Sequence, residues 1–174
     1  MINKKLQSIL VAMMKADQHM RFNPKKTGSK FSPIDINNTA KLKKIITKYG
    51  WPHRNLVGVK GALAAWLIVQ HADHDLKFQK QCLVLMQKEV LNKRVNLSHL
   101  ALLTDRVLVN SKKSQKYGTQ FYNTKQGIYT FRPIVDKKNL DTRRKEVGLE
   151  PFEMYIKHMI ATRQKHKKKY KHLK

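Results

Sequence analysis

The sequence predicts a mainly α-helical protein, a single helical domain of about six helices with one small β-hairpin. Apolar residues recur at three- and four-residue spacing along most of the chain, which is the period of an amphipathic helix. The length of 174 residues suits one hydrophobic core. One stretch, residues 117–134, combines aromatic and β-branched residues with a central turn, which predicts the β-hairpin. We expect residues 1–160 to form the domain and residues 161–174 to form a basic C-terminal tail.

The N-terminal part of the chain predicts two helices separated by a basic loop. The first helix covers residues 2–22, where leucine, isoleucine and methionine fall on one face. The loop covers residues 23–35, which contain two prolines and a glycine. Asp35 or Asn37 can cap the second helix, which ends at Tyr49 before a glycine.

The middle of the chain predicts three helices, of which the first is central. Residues 62–69 are apolar on every face, so this helix should be surrounded by protein. Asp73 or Asp75 can cap the next helix. Ser98 can cap a third helix, which ends near Val109.

The last part of the chain predicts the hairpin and two further helices. Residues 117–123 and 128–134 flank a Thr-Lys-Gln-Gly turn and are rich in aromatic and β-branched residues. Asp136 can cap a helix that ends at Gly148. Pro151 can open the last helix, which runs into the basic tail.

Positive charge is the strongest compositional feature. Lysine and arginine number 37 against 11 acidic residues, which gives a net charge of +26. The excess is +9 over residues 1–48, +4 over residues 49–110 and +13 over residues 111–174, so both ends are strongly basic. Such a field attracts nucleic acid, acidic proteins or anionic lipid without specifying any of them. A lysine-rich surface with no dedicated partner is the alternative.

The composition also excludes several classes of protein. Cys82 is the single cysteine, so neither an intramolecular disulfide nor a cysteine-based zinc cluster can form, and we expect a reducing, cytoplasmic location. No apolar run approaches the roughly 18 residues that a membrane span needs. The Walker loop, the GxGxxG and GxSxG loops and the HExxH helix are all absent.

Asp17 continues the apolar stripe of the first helix and should therefore face inward. Arg21 lies four residues further on, which is the spacing of an ion pair on a helix. A carboxylate removed from water is costly unless it is paired or hydrogen-bonded, so Asp17 needs such a donor. The pair is either a structural salt bridge or part of a substrate or catalytic site that includes Gln18.

Gln70 and His71 follow the all-apolar helix and therefore leave the interior at a helix C-terminus. Partial negative charge at that end favours a titration near neutral pH, so His71 is a candidate general base. A hydrogen-bonded structural histidine and a metal shared with His74 are the alternatives. Such a metal would need a third ligand, for which Asp105 and Asp17 are candidates.

Asp105 and Arg106 interrupt another apolar helix, so each should find its partner on a different element. We expect Asp105 to bind His71, because a carboxylate on the second ring nitrogen fixes the tautomer of a catalytic base. The segment that opens the hairpin suits either ligand contact or a turn. Its hydrogen-bonding side chains are Tyr117, Thr119 and Gln120.

Four arginines could gather on an anion such as phosphate, which a guanidinium binds through two parallel hydrogen bonds. They are Arg21, Arg106, Arg143 and Arg144. For Arg144 we expect an exposed position on a helix face instead.

Eight short motifs follow one another along the chain. They are Asp17-Gln18-x-x-Arg21, Gly50-Trp51-Pro52, Val57-Gly58, Gln70-His71-Ala72-Asp73, Thr104-Asp105-Arg106, Tyr117-Gly118-Thr119-Gln120, Arg143-Arg144 and Gly148-Leu149. Together they resemble an uncharacterised bacterial family, a domain of unknown function, over residues 6–156. The resemblance implies one shared domain and carries no assigned activity or ligand. The lysine excess and the basic tail after residue 160 depart from that family.

These residues support three hypotheses of function. The first is a small enzyme, a hydrolase or group transferase acting on a polar, anionic substrate, with His71 as general base oriented by Asp105 or Asp17. Its substrate contacts would be Gln18, Arg21, Gln70, Arg106, Tyr117, Thr119, Gln120 and Arg143. The second is a nucleic-acid- or ribosome-associated protein that binds through the basic ends and Tyr170. The third is a structural domain whose interior polar residues fix the packing; no hypothesis specifies a cofactor.

Overall fold

The computed structural model describes residues 1–22 and 31–170, and for Phe22 and residues 165–170 it describes the backbone alone. Within these residues the protein has seven α-helices and one antiparallel hairpin, so the mainly α-helical prediction is confirmed. The helices are α1 (Lys4–Phe22), α2 (Pro33–Tyr49), α3 (Arg54–Gln70), α4 (Leu76–Lys88), α5 (Leu97–Asn110), α6 (Leu140–Glu146) and α7 (Phe152–Tyr170). The strands are β1 (Phe121–Asn123) and β2 (Tyr129–Phe131).

The core lies where α1 packs along α3, which is the central helix that the sequence predicts. Leu10 of α1 and Ala64 of α3 are completely buried in this contact, and Leu6 and Ile68 are almost so. Helices α2, α4 and α5 also pack against α3. The apolar composition of α3 on every face is therefore explained by neighbours on several sides.

A glycine allows α1 and α3 to approach closely. Gly58 has a φ of 68°, in the left-handed region that side chains disfavour, and kinks the early part of α3. A Cβ atom placed on Gly58 would lie 2.4 Å from the side-chain nitrogen of Gln7 on α1. The backbone conformation therefore favours glycine at this position, whereas the Gln7 amide, at the end of a flexible side chain, can move away from an added Cβ.

The start of α2 differs from the prediction. The hydroxyl of Ser32 caps the helix, which begins at Pro33. The predicted caps Asp35 and Asn37 are wrong, because proline fits the first helical turn and lets the helix begin earlier. Asp35 consequently lies inside the first turn, where its carboxylate is available for other contacts.

The bounds of the later helices and of the hairpin also differ from the sequence prediction. Asn96 caps α5, instead of Ser98. Phe121 pairs with Phe131 in a hairpin of three-residue strands, shorter than predicted, because backbone N–H groups within residues 117–120 bind the side chains of Asp105 and Gln115. Helix α6 begins only after a short 3-10 turn.

No helix in the described residues is long and apolar enough to cross a lipid bilayer. Helix α7 continues past the expected domain boundary at residue 160 as far as Tyr170. Residues 171–174 of the predicted tail, like the loop residues 23–30, lie outside the described residues.

The packing of α1 on α3 gives a first prediction. Leu10→Ala should lower the free energy of unfolding by about 2–5 kcal/mol, because it leaves a cavity in the core. The neighbouring Ile9 is 43% exposed and provides the matched control. Ile9→Ala should cost less than about 1 kcal/mol. Chemical denaturation measures both values, and equal losses would contradict the assigned face of α1.

Candidate active site

Four elements meet at a polar cleft of about 290 Å³ beside the C-terminal end of α3. Helix α1 contributes Arg21, α2 contributes Asp35, the segment after α3 contributes His71 and Asp73, and α5 contributes Arg106. The chain thus brings together groups from positions as distant as 21 and 106. Among the sequence-predicted site residues, Arg21, His71 and Arg106 line this cleft, and Asp17 and Gln120 bind residues that line it.

His71 and Asp17 form the central contact of the cleft. The Nδ1 atom of His71 lies 2.8 Å from Oδ1 of Asp17, whose side chain is only 1% exposed. A hydrogen bond from His71 to the Asp17 carboxylate needs the proton on Nδ1, whereas Nε–H of Arg21, 3.0 Å from the same atom, donates only to an unprotonated Nδ1. In the tautomer that donates to Asp17, the lone pair of the neutral ring is on Nε2, which has no hydrogen-bond partner among the described residues.

Arg21 and Gln18 complete the environment of Asp17. The guanidinium of Arg21 donates to Oδ1 of Asp17 from Nε at 3.2 Å and from Nη2 at 3.1 Å, and the amide of Gln18 donates to Oδ2 at 2.7 Å. Burial by itself would raise the pKa of Asp17, but the hydrogen bonds and charges of His71 and Arg21 outweigh it and lower the pKa to about 2. Asp17 therefore stays ionised at neutral pH.

Asp35 is a cleft residue that sequence reasoning considered only as a helix cap. Its carboxylate accepts a hydrogen bond from Nη2 of Arg21 at 2.7 Å, so one guanidinium bridges Asp35 and Asp17. Burial and the nearby charge of Asp17 raise the pKa of Asp35, although Arg21 acts in the opposite direction. The signal that could have indicated this role is Ser32, which leaves Asp35 free of the cap.

A second ion pair forms the other side of the cleft. Both oxygens of Asp73 accept hydrogen bonds from Arg106, and Asn110 donates to Oδ1 of Asp73 at 2.8 Å. Burial tends to raise the pKa of Asp73, but Arg106 outweighs it and the pKa is lowered. Nη1 of Arg106 also donates to the side-chain oxygen of Gln120 at 3.3 Å. Sequence reasoning considered Asp73 only as a helix cap.

The expected pair of His71 and Asp105 is not formed. Asp105 is completely buried and accepts hydrogen bonds from the backbone N–H groups of Lys116, Tyr117 and Thr119 and from the Thr119 hydroxyl. Burial raises its pKa, while these hydrogen bonds act to lower it. Asp105 therefore holds the segment before β1 in place, and Asp17 occupies the position beside His71 that was expected for Asp105.

Within residues 117–120, Thr119 lies in the interior and the side chain of Gln120 lies beside the cleft. Thr119 is buried against Asp105, and the carbonyl of Tyr117 accepts a hydrogen bond from Nη1 of Arg144 at 2.5 Å. The side chain of Gln120 reaches the cleft through Arg106. The described contacts of Thr119 and of the Tyr117 backbone are consequently structural.

The four arginines do not gather on one anion site. Arg143 donates to the carbonyls of Lys116, Val135 and Asp136 and to the Asp136 carboxylate. Arg144 is completely buried, so its expected exposed position is wrong. It donates to the carbonyls of Glu150 and Tyr117, and its guanidinium lies over the rings of Phe152 and Tyr155.

Gln70 joins α3 to α5 instead of facing the cleft. Its side chain is nearly buried, and in the orientation that satisfies its neighbours its oxygen accepts from the backbone N–H of Leu103 at 2.9 Å and the indole of Trp66 at 3.3 Å. Its contacts in the structure are therefore packing contacts.

The side chains that lie close enough together to bind one metal ion differ from those that the sequence suggested. Ligand atoms of Asp17, Asp35 and His71 all lie within 4.8 Å of one another, whereas the ring of His74 lies near that of Phe31. The guanidinium of Arg21 donates to both carboxylates and occupies the place of a cation between them. The protein therefore already supplies one positive charge to this pair of carboxylates.

Comparison with known proteins identifies the family. A model of a family of unknown function, DUF6624, matches residues 4–167, which include every residue of the cleft. The chain belongs to the DUF6624 family. No curated protein and no solved structure matches the chain. The sequence-predicted resemblance to a domain of unknown function is thus confirmed.

The pKa of Asp17 predicts how acid affects this DUF6624 protein. Because the folded-state pKa of about 2 lies below the ordinary value of 3.8, the ionised carboxylate stabilises the fold above about pH 4, and that contribution is lost as the pH falls towards 2. Asp17→Asn lacks this titration. The free energy of unfolding, measured with urea at several pH values, should fall more steeply for the wild type over this range. Parallel profiles would contradict the pairing of Asp17.

The contacts of Asp105 give another prediction. Asp105→Asn should lower the free energy of unfolding by about 2 kcal/mol or more, because an amide cannot accept all of the hydrogen bonds that the carboxylate accepts. Amide hydrogen exchange at Tyr117 and Thr119 should accelerate in this variant. Glu153→Gln removes an exposed carboxylate of α7 and serves as the control, with no change in either measurement. Unchanged exchange in Asp105→Asn would contradict its anchoring role.

Proposed function

We propose that this DUF6624 protein is an enzyme, a hydrolase or group transferase, in which His71 is the general base and Asp17 orients it. One observation carries the proposal: a buried, ionised carboxylate lies 2.8 Å from Nδ1 of a histidine that lines an open cleft. A ring that donates from Nδ1 to Asp17 leaves Nε2 to accept a proton.

The chemistry follows from the positions of the protons. Nε2 of His71 accepts a proton from a bound water or a substrate hydroxyl, while Nδ1 keeps its proton and its hydrogen bond to Asp17. The resulting imidazolium is stabilised by the Asp17 carboxylate, which remains charged because its pKa is about 2. Nε2 then returns the proton to the leaving group. General base catalysis of this kind contributes about 10²–10⁴-fold to a rate.

The lining of the cleft indicates the type of substrate. Asp35 and Asp73 are acceptors, whereas Arg21 and Arg106 are donors that already bind carboxylates. With His71 neutral, these four groups and Asp17 carry a formal charge of −1. A small polar substrate with both donors and acceptors suits this lining. An anionic substrate would have to draw Arg21 or Arg106 away from its carboxylate partner.

The nucleic-acid hypothesis has less support from the described residues. Six of the lysines that make the C-terminal end basic lie in residues 165–174, together with Tyr170, and their side chains are outside the described residues. The same holds for the lysines of residues 23–30. The described contact between Asp17 and His71 supports the enzyme hypothesis instead.

Substitution of His71 tests the proposed base. In a screen of chromogenic esters, amides and phosphate esters, His71→Gln should reduce kcat/KM by about 10²–10⁴-fold. His158→Gln provides the control, because His158 is an exposed histidine of α7, and it should keep the wild-type rate. An active His71→Gln protein with an intact fold would overturn the proposal.

The tautomer of His71 provides a test that requires no substrate. Nitrogen NMR of the neutral ring should show the proton on Nδ1 in the wild type, because Asp17 accepts it. Asp17→Asn should shift the population towards the Nε2 tautomer. A wild-type ring protonated on Nε2 would be unable to accept a proton there and would contradict the mechanism.

A further inference from the structure

A second cavity, of about 380 Å³, lies between α3 and the connection from α4 to α5. It shares no residue with the polar cleft. Its walls are mainly apolar and include Trp51, Ala62, Leu63, Trp66, Met86 and Val95. This size falls at the lower end of small-molecule pockets, which occupy about 300–1,000 Å³.

This second cavity is an open groove, and one wall of the groove is a rigid aromatic platform. The ring of Trp66 stacks on that of His99, with 4.1 Å between centroids and 10° between planes. The indole N–H donates to the carbonyl of His99 at 2.9 Å, which fixes the orientation of the indole. Burial lowers the pKa of His99, so this ring is neutral at physiological pH. An apolar ligand therefore meets a preformed surface without a charge on the stacked pair.

The groove also carries positive charge from two arginines. Arg54 and Arg94 both line the groove, and a backbone hydrogen bond of 3.4 Å from Arg54 N–H to the Arg94 carbonyl holds their segments together. Arg94 has a long contact of 3.4 Å with Glu89. The guanidinium of Arg54 is exposed and has no ion-pair or hydrogen-bond partner within the described part of the chain. One positive charge is therefore left without a counterion.

We propose that this groove binds a small amphipathic carboxylate, with an aryl or short alkyl body. The body would pack between Trp51 and Trp66, and the carboxylate would bind Arg54 and Arg94. A guanidinium binds a carboxylate through paired, charge-assisted hydrogen bonds, so these arginines complement an acid. The ligand would also cover Leu63, which is 37% exposed. This binding site is independent of the proposed catalytic role of His71, since the two cavities have no residue in common.

The chain provides its own reporter for this site. It has two tryptophans, and both line the groove, so their fluorescence should change when the groove is filled. We would titrate the full-length protein with 4-phenylbutyrate and follow tryptophan emission and the heat of binding. The neutral amide of the same acid has the same apolar body and provides the control. The acid should bind more tightly than the amide by about tenfold or more.

Two variants locate the carboxylate. Arg54→Gln should weaken binding of 4-phenylbutyrate by about tenfold, because it removes the unpaired guanidinium. Arg132→Gln removes one positive charge from the hairpin, outside the groove, and should bind as the wild type does. Saturable binding with these differences supports the proposal. Absence of binding at millimolar concentrations, equal binding of the amide, or equal weakening by both variants would overturn it.

Discussion

The hydrogen bond between Asp17 and His71 is the contact on which the polar cleft depends. A carboxylate inside a core is costly unless donors surround it, and here α1 supplies Arg21 and Gln18 while the end of α3 supplies His71. The cost of burying Asp17 is therefore offset by contacts that also join α1 to α3. Arg21 also donates a hydrogen bond to Asp35 of α2, so the same network positions the start of α2.

Asp17 and Asp105 show how two buried carboxylates come to lie in different environments, of which only the first has a proposed chemical role. Both side chains are removed from solvent. Asp17 faces a guanidinium and an imidazole, and its pKa is lowered. Burial raises the pKa of Asp105, because the mainly neutral backbone N–H groups that it meets lower the pKa less than burial raises it. The first arrangement orients an ionisable ring beside a cleft, whereas the second fixes the path of the chain that brings Gln120 to Arg106.

Helix α3 organises both cavities of the protein. At its C-terminal end the chain leaves the core, and the polar residues that follow bind Asp17 of α1 and Arg106 of α5. Along its side Trp66 and Leu63 face the connection between α4 and α5, where the neighbouring chain leaves an apolar groove. The two cavities differ in chemistry because residues 62–69 of α3 are all apolar, whereas polar residues follow from Gln70 onward.

The sequence by itself determined the helical class, the central position of α3 and the inward direction of Asp17 with Arg21 one turn away. These features are local, since helical spacing alone places residues on a face. Only the tertiary structure decided that Asp17 binds His71, that Asp35 joins the cleft and that Arg144 is buried. Those outcomes depend on which helices pack together and how the connecting segments run, and the residues involved lie many positions apart in the chain.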